Sequence, residues 1–184
     1  SAALVSDVQK GCKTIQQIRV DDPLTTIGQT AKLWRENINI PVFGITGTNG
    51  KTSTKELIKH VLSENMNVHA TKGNYNTSIG VPLTLLTMTS SHEISILELG
   101  ANQKGDIRYL CEITKPNHGL ITNIAPAHLE GFGSVEEIAK EKAELFLSLN
   151  NGFAFVNNAD EKVSALPCSG TKISYGLTPI CDFP

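Results

Sequence analysis

The chain has 184 residues, 40% hydrophobic and 18% charged, which suits one domain, or one domain with pieces of its neighbours, and excludes a disordered or collagen-like chain. Its 16 basic and 18 acidic residues leave a net charge of −2, which argues against a broad surface for nucleic acid or anionic membrane. No apolar run approaches the ~18 residues of a membrane span, and the opening SAALVSDVQK lacks the basic-then-apolar order of a signal peptide.

Four irregularly spaced cysteines, Cys12, Cys111, Cys168 and Cys181, form no C-x-x-C pair. They read as ordinary thiols in a reducing cytoplasm. The sequence lacks an initiator Met and stops at CDFP with no closing helix, so it reads as a processed product or a piece cut inside a domain.

In chain order, short apolar runs alternate with amphipathic ones, the pattern of an α/β fold with a mostly parallel sheet. Asp22-Pro23 reads as an N-cap and first helical residue, with Leu24, Ile27, Ala31 and Trp34 at helical spacing. A strand over about 40–46 ends in a Gly-rich turn, and a helix over 51–65 follows with Leu57, Ile58, Val61 and Leu62 on its apolar face. A short strand at 68–71 leads to a loop, GNYNTSIG, at 73–80. The strand ISILEL (94–99), a helix near 106–114 burying Ile107, Leu110 and Cys111, and the strand GLITNI (119–124) come next. After a long polar loop, Ser134 and Glu137 form a capping box for a helix over 135–149, with Val135, Ile138, Ala139, Leu145, Phe146 and Leu149 on one stripe. Strands at 152–157 and 172–177 complete the alternation.

The strongest motif is Gly47-Thr48-Asn49-Gly50-Lys51-Thr52, between a strand and a helix. Glycines let backbone N–H groups approach phosphate, and the helix N-terminus adds partial positive charge. Lys51 is placed to reach the outer phosphates and the Thr52 hydroxyl to ligate Mg²⁺. A strict phosphate-loop pattern wants Gly at 45, where Ile45 stands, with Gly44 one residue early.

Open α/β sheets bind ligands at the carboxyl ends of their strands. Glu98 ends an apolar strand there, sharing a face with Ile94 and Ile96, and reads as a metal ligand or as half of a structural ion pair. His128, in the loop after the 119–124 strand, is a weaker ligand on chemistry alone, because Mg²⁺ prefers oxygen. His60, His69, His92 and His118 read as surface or structural. Lys142 falls on the apolar stripe of its helix, so it either snorkels to water or is held neutral and able to do chemistry.

The stretches GITGTNGKTSTKE (44–56), GNYNTSIGVPLTLL (73–86), ILELGANQKGDI (96–107) and ITNIAPAHLEGFGSVEEIAKEKAELF (121–146) together resemble the Mur ligases of peptidoglycan synthesis. The resemblance covers residues of about 15–155. The G-N-x-N-x-x-I-G-V-P and E-L-G-A-N stretches are most similar to the branch that adds D-alanyl-D-alanine to UDP-N-acetylmuramoyl-tripeptide. The Ile45 spelling agrees with the family pattern.

The resemblance implies a P-loop-type central domain, incomplete here, spanning 40–184. It further implies a remnant of a UDP-substrate domain at 1–20, a linker helix at 21–39, and a C-terminal domain absent from this segment. It implies ATP and Mg²⁺ as cofactors, cytoplasmic localisation, and amide-bond formation through an acyl phosphate. By position, Gly47 to Thr52 match the ATP phosphate loop, Thr52 and Glu98 the ligands of one Mg²⁺, and His128 a ligand of a second. Lys142 matches a lysine carbamylated in many members, and Asn74, Asn76 and Asn123 match polar positions near substrate and phosphates. The segment alone is expected to be catalytically silent. The rival readings are another ligase of the superfamily, such as a folylpolyglutamate synthase, or a P-loop NTPase module; no N-K-x-D motif supports a GTPase.

Overall fold

Every strand pairing among the described residues is parallel, as expected where helices separate successive strands. The computed structural model describes residues 2–11, 14–127 and 129–183; Cys12 and His128 lie outside them. Strands β1 (Ala2–Val5) and β2 (Gln16–Arg19) form a two-stranded sheet of their own. Helix α1 (Pro23–Asn37) follows, its first turn held by the Asp22 carboxylate, which accepts from Leu24 N at 3.0 Å and Thr25 N at 3.3 Å.

The main sheet contains β3 (Val42–Thr46), β4 (Val68–Ala70), β5 (Ile94–Glu98), β6 (His118–Ile121), β7 (Phe153–Asn157) and β8 (Thr171–Tyr175), in the order β4-β5-β3-β6-β7-β8. Its connections carry α2 (Lys51–Leu62), α3 (Gly80–Leu85), α4 (Asp106–Thr114), α5 (Leu129–Phe132), α6 (Val135–Leu147) and α7 (Glu161–Ser164). From β3 the chain runs out to β4, returns through β5 beside β3, then crosses to β6 on the other side. The strand order therefore switches at β3, and the crevice at its carboxyl end is where ligands enter such sheets.

All five residues of β3 are buried, which explains its continuous apolar run: both faces are covered. One core layer joins α1, α3, α4 and α6 to the sheet, with Leu145 of α6 at its centre. Gly44 and Gly119 lie directly under Leu145, and a Cβ on either would meet it at 3.0 Å. The other layer is smaller: Phe43, Ile45, Ile96 and Leu120 pack against Ile58 and Leu62 of α2. Arg35 ties α1 to the end of α4, donating to Thr114 O at 2.9 Å, and closes its own helix end through Ile38 O at 2.6 Å.

Several sequence expectations shift. Ala31 of α1 is buried as expected, but Leu24 and Trp34 stay largely exposed, and Gly28 and Arg35 are buried beside Ala31. On α2, Leu57 and Val61 are 68% and 67% exposed, and the buried residue is Lys55. Ser134 caps α6 through Glu137 N at 3.3 Å, but the Glu137 carboxylate pairs with Lys104 and Lys140 rather than closing a box. Helix α3 begins at the end of a stretch read as loop; Pro82 sits in its first turn, where a missing N–H costs nothing. Two strands occupy the first twenty residues, the stretch that the resemblance marks as a domain remnant. Cys111 and Cys181 are buried free thiols and Cys168 is half-buried.

His69 of β4 is a core histidine. Its Nε2 lies 3.1 Å from Thr84 O, a group that can only accept, so Nε2 carries the proton and Nδ1 accepts from the Ser95 hydroxyl at 2.8 Å. Burial, with His92 nearby, pushes its pKa down to about 4. The unfolded chain takes up this proton near pH 6.5 and the folded chain does not, so stability is full above pH 6.5 and falls toward pH 4. Between pH 7.5 and 5 this group alone is expected to remove about 2 kcal/mol. Urea titrations of wild type and His69→Gln across that range test this: the variant should lose that part of the slope, and parallel slopes would contradict it.

Candidate functional site

The turn after β3 is shaped by the loop after β6. Thr48 N donates to Asn123 O at 3.0 Å, and Asn49 N donates to Asn123 Oδ1 at 3.0 Å. Asn49 O accepts from the Thr122 hydroxyl at 2.6 Å and from Asn123 Nδ2 at 3.2 Å. The Thr48 hydroxyl donates to Ala125 O and accepts from Ala125 N. Gly47 has φ +146°, and a Cβ there would overlap the Thr122 hydroxyl, so only glycine fits. Gly50, at φ +80°, is the N-cap of α2 and offers no side chain to its first turn. The N–H groups of that turn are thus left for a ligand, with the helix dipole behind them. Lys51 Nζ folds back onto Gly47 O at 2.8 Å and Thr48 O at 3.1 Å. Burial lowers the Lys51 pKa, and Glu98 works in the opposite direction.

Glu98 ends β5 with no exposed surface. Its Oε2 accepts from the Thr52 hydroxyl at 3.1 Å. Its Oε1 lies 3.3 Å from Lys55 Nζ without hydrogen-bond geometry, so the contact is electrostatic and the oxygen has no hydrogen-bond donor. The ion-pair reading of Glu98 is thus met by Lys55. No cluster of three His, Cys, Asp or Glu side chains occurs among the described residues. The set suits a hard dication that takes one carboxylate, a hydroxyl, phosphate oxygens and water, the habit of Mg²⁺.

Lys142 does not snorkel: it is 5% exposed on α6. Burial, with repulsion from Lys51, lowers its pKa to about 8, against a smaller opposing effect of Glu141. Glu141 beside it accepts from Gly105 N at 2.8 Å and Ile107 N at 2.7 Å, fastening α6 to the start of α4.

Asn76 touches the same region through its main chain, its carbonyl accepting from Gly100 N at 2.8 Å, while Asn74 is exposed. The Asn123 side chain is committed to shaping the phosphate loop. His128 lies outside the described residues. Sequence reasoning missed Lys55, Thr71, Asn157 and Asp160. Asn157 Nδ2 donates to Thr122 O at 2.9 Å, and Asp160 accepts from Ile124 N at 2.9 Å, so the end of β7 steadies the loop that grips Asn49. The position of N-N-A-D at a strand's carboxyl end was the available signal. A hollow of about 650 Å³ at the opposite end of β6, beside Asn117, is lined by Lys115 and Arg108. Both are already paired, with Glu36 and Glu144.

A model of the Mur ligase middle domain matches residues 45–178. The chain belongs to the Mur ligase family. Over 160 residues it is 41% identical to the UDP-N-acetylmuramoyl-tripeptide–D-alanyl-D-alanine ligase of Haemophilus influenzae, covering 84% of this chain and 35% of that one. The Bacillus subtilis ligase of the same name is 40% identical over 166 residues, covering 90% of this chain and 36% of that protein. MurF from Acinetobacter baumannii superposes with a TM-score of 0.86 and 33% identity, over 95% of this chain and 39% of that one. MurF from Thermotoga maritima, solved in complex with ADP, gives 0.84 and 30%, over 95% and 41%. The chain thus spans about a third of the length of the relatives it matches. The α/β fold with a parallel sheet flanked by helices is that of the Mur ligase middle domain.

Within this Mur ligase domain, the Asn123 side chain makes two bonds to Asn49. Asn123→Ala should weaken ADP binding by roughly tenfold, the scale of one or two lost hydrogen bonds. Isothermal titration measures it, and an unchanged Kd would contradict a contribution of these bonds to nucleotide binding.

Proposed function

We propose that this chain is the nucleotide- and metal-binding part of an ATP-dependent ligase that joins D-alanyl-D-alanine to UDP-N-acetylmuramoyl-tripeptide in the cytoplasm. The observation that carries the reading is the meeting of a phosphate loop and the Thr52–Glu98 pair at the carboxyl ends of the adjacent strands β3 and β5, with Lys142 buried on α6 where it feels the charge of Lys51. The names of the relatives supply the substrates. Residues 40–184 are assigned to the ATP-binding domain, 21–39 to a linker helix and 1–20 to the edge of a UDP-substrate domain. Among the described residues, no helix is long and apolar enough to cross a membrane.

In this scheme a carboxylate oxygen of the tripeptide attacks the γ-phosphorus of ATP, and the bond to the ADP oxygen breaks. The neutral amine of D-alanyl-D-alanine then attacks the acyl carbon, phosphate leaves, and the amine proton is lost to solvent. The α2 N-terminus and the loop N–H groups orient the phosphates, and Lys51 exchanges its two carbonyl partners for phosphate oxygens. A bound Mg²⁺ neutralises phosphate charge and would be held by Thr52 and Glu98. His128 and Lys142 are assigned to a second cation, with Asn74 and Asn76 toward the peptide substrate.

Lys142 fits a carbamate. Its lowered pKa leaves a substantial neutral fraction near pH 8, and a neutral amine adds CO₂ with release of one proton. The product is an anion with hard oxygens on the same stem.

Assay of the full-length protein with ATP, the UDP-tripeptide and D-alanyl-D-alanine should give ADP, phosphate and the new amide in equal amounts. ATP hydrolysis without amide would instead favour an NTPase module, and ligation only with another amine would favour another branch of the family. Lys51→Ala should lower turnover at least about a hundredfold. Lys142→Ala should lose most activity and regain part of it with added short carboxylates; full activity without them would contradict the carbamate.

A further inference from the structure

Lys55 is a lysine with no exposed surface, one turn into α2. Its ammonium donates to Thr71 O at 2.8 Å, lies 2.8 Å from Glu56 Oε1, and lies 3.3 Å from Glu98 Oε1. Thr71 closes the arrangement: its hydroxyl accepts from Glu98 N at 3.0 Å, and its own N–H donates to Ile96 O at 3.0 Å. Both the backbone and the carboxylate of Glu98 are thereby fixed to the Lys55–Thr71 unit. Thr52 and Lys55 are three residues apart, so they share one side of α2 and hold the two carboxylate oxygens separately. Lys51, the other nearby ammonium, is bonded to Gly47 O and Thr48 O.

A carboxylate with no exposed surface needs a compensating charge. A metal could supply it only while bound. Lys55 supplies it permanently, and a permanent positive charge beside a ligand carboxylate must also repel a dication.

We propose that Lys55 is a positioning residue for the cation site: an internal counter-charge that holds the Glu98 carboxylate in place between turnovers, and that weakens the hold on a free dication so that the metal enters with the nucleotide's phosphates. The inference rests on the assignment of Thr52 and Glu98 as cation ligands. It gives α2 two tasks, phosphate binding at its N-terminus and setting of metal affinity one turn later. The direction of the expected effect is unusual for a residue that supports a metal site, because removing it tightens metal binding.

The test is Mn²⁺ binding to the full-length protein, read from the free-ion electron paramagnetic resonance signal with and without ADP. Lys55→Met should bind Mn²⁺ without nucleotide at least about tenfold more tightly than wild type, the scale of removing one unit charge near a dication. Lys55→Arg, which keeps the charge, should behave as wild type. Mn²⁺ should also raise the melting temperature of Lys55→Met more than that of wild type. Unchanged or weaker Mn²⁺ binding by Lys55→Met overturns the proposal.

If Lys55→Met does not fold, Lys55→Gln, which can still donate to Thr71 O, carries the same expectation. If neither folds, refolding yields with Mn²⁺ and with chelator decide: rescue by the dication supports the proposal and its absence overturns it. Failure of the underlying assignment looks different. Wild type would bind no Mn²⁺ in the presence of ADP, or Glu98→Gln would bind it as well as wild type.

Discussion

The structure turns on a negative charge buried at the end of a parallel strand. Glu98 has no exposed surface, and the groups around it balance and aim that charge. Thr52 takes one oxygen from the phosphate side, Lys55 faces the other, and Thr71 fixes the backbone N–H. Leaving such a carboxylate unpaired would cost several kcal/mol, a large part of a domain's net stability. The pairing is therefore a folding requirement.

The sheet topology brings these groups together. Because the order switches at β3, the ends of β5 and β6 flank the phosphate loop, one bringing the carboxylate and the other Thr122 and Asn123. Leu145, seated over Gly44 and Gly119, fixes α6 against the same strands. One turn of α6 then carries Lys142 and Glu141, and the Glu141 carboxylate ties α6 to the segment after Glu98. Packing in the core thus sets the spacing of the charged groups above it.

Much of this was legible in the sequence. The apolar runs at β3, β5 and β6 are short and bounded by glycine or polar residues, so their strand character and parallel order follow from local pattern. The phosphate loop is legible because it is contiguous: one turn contains glycines, lysine and threonine in order. Lys55 was not legible, because a lysine at helical spacing beside Glu56 reads as a solvated face. Its burial depends on Thr71 and Glu98, which are 16 and 43 residues away in the chain. Leu57 and Val61 failed for the reverse reason: they continue an apolar pattern, yet α2 turns its Ile58 and Leu62 side to the sheet. Asn123 was found, but its grip on Asn49 was not, because only the fold brings the two side by side.

The most direct measurement is a crystal structure of the full-length protein with Mn²⁺ and ADP, located by the anomalous signal of the metal. The account predicts a peak bonded to the Thr52 hydroxyl and to a Glu98 oxygen, with phosphate oxygens completing the shell and the Lys55 ammonium still on Thr71 O. A peak away from both side chains, with Glu98 still closed between Thr52 and Lys55, would contradict it.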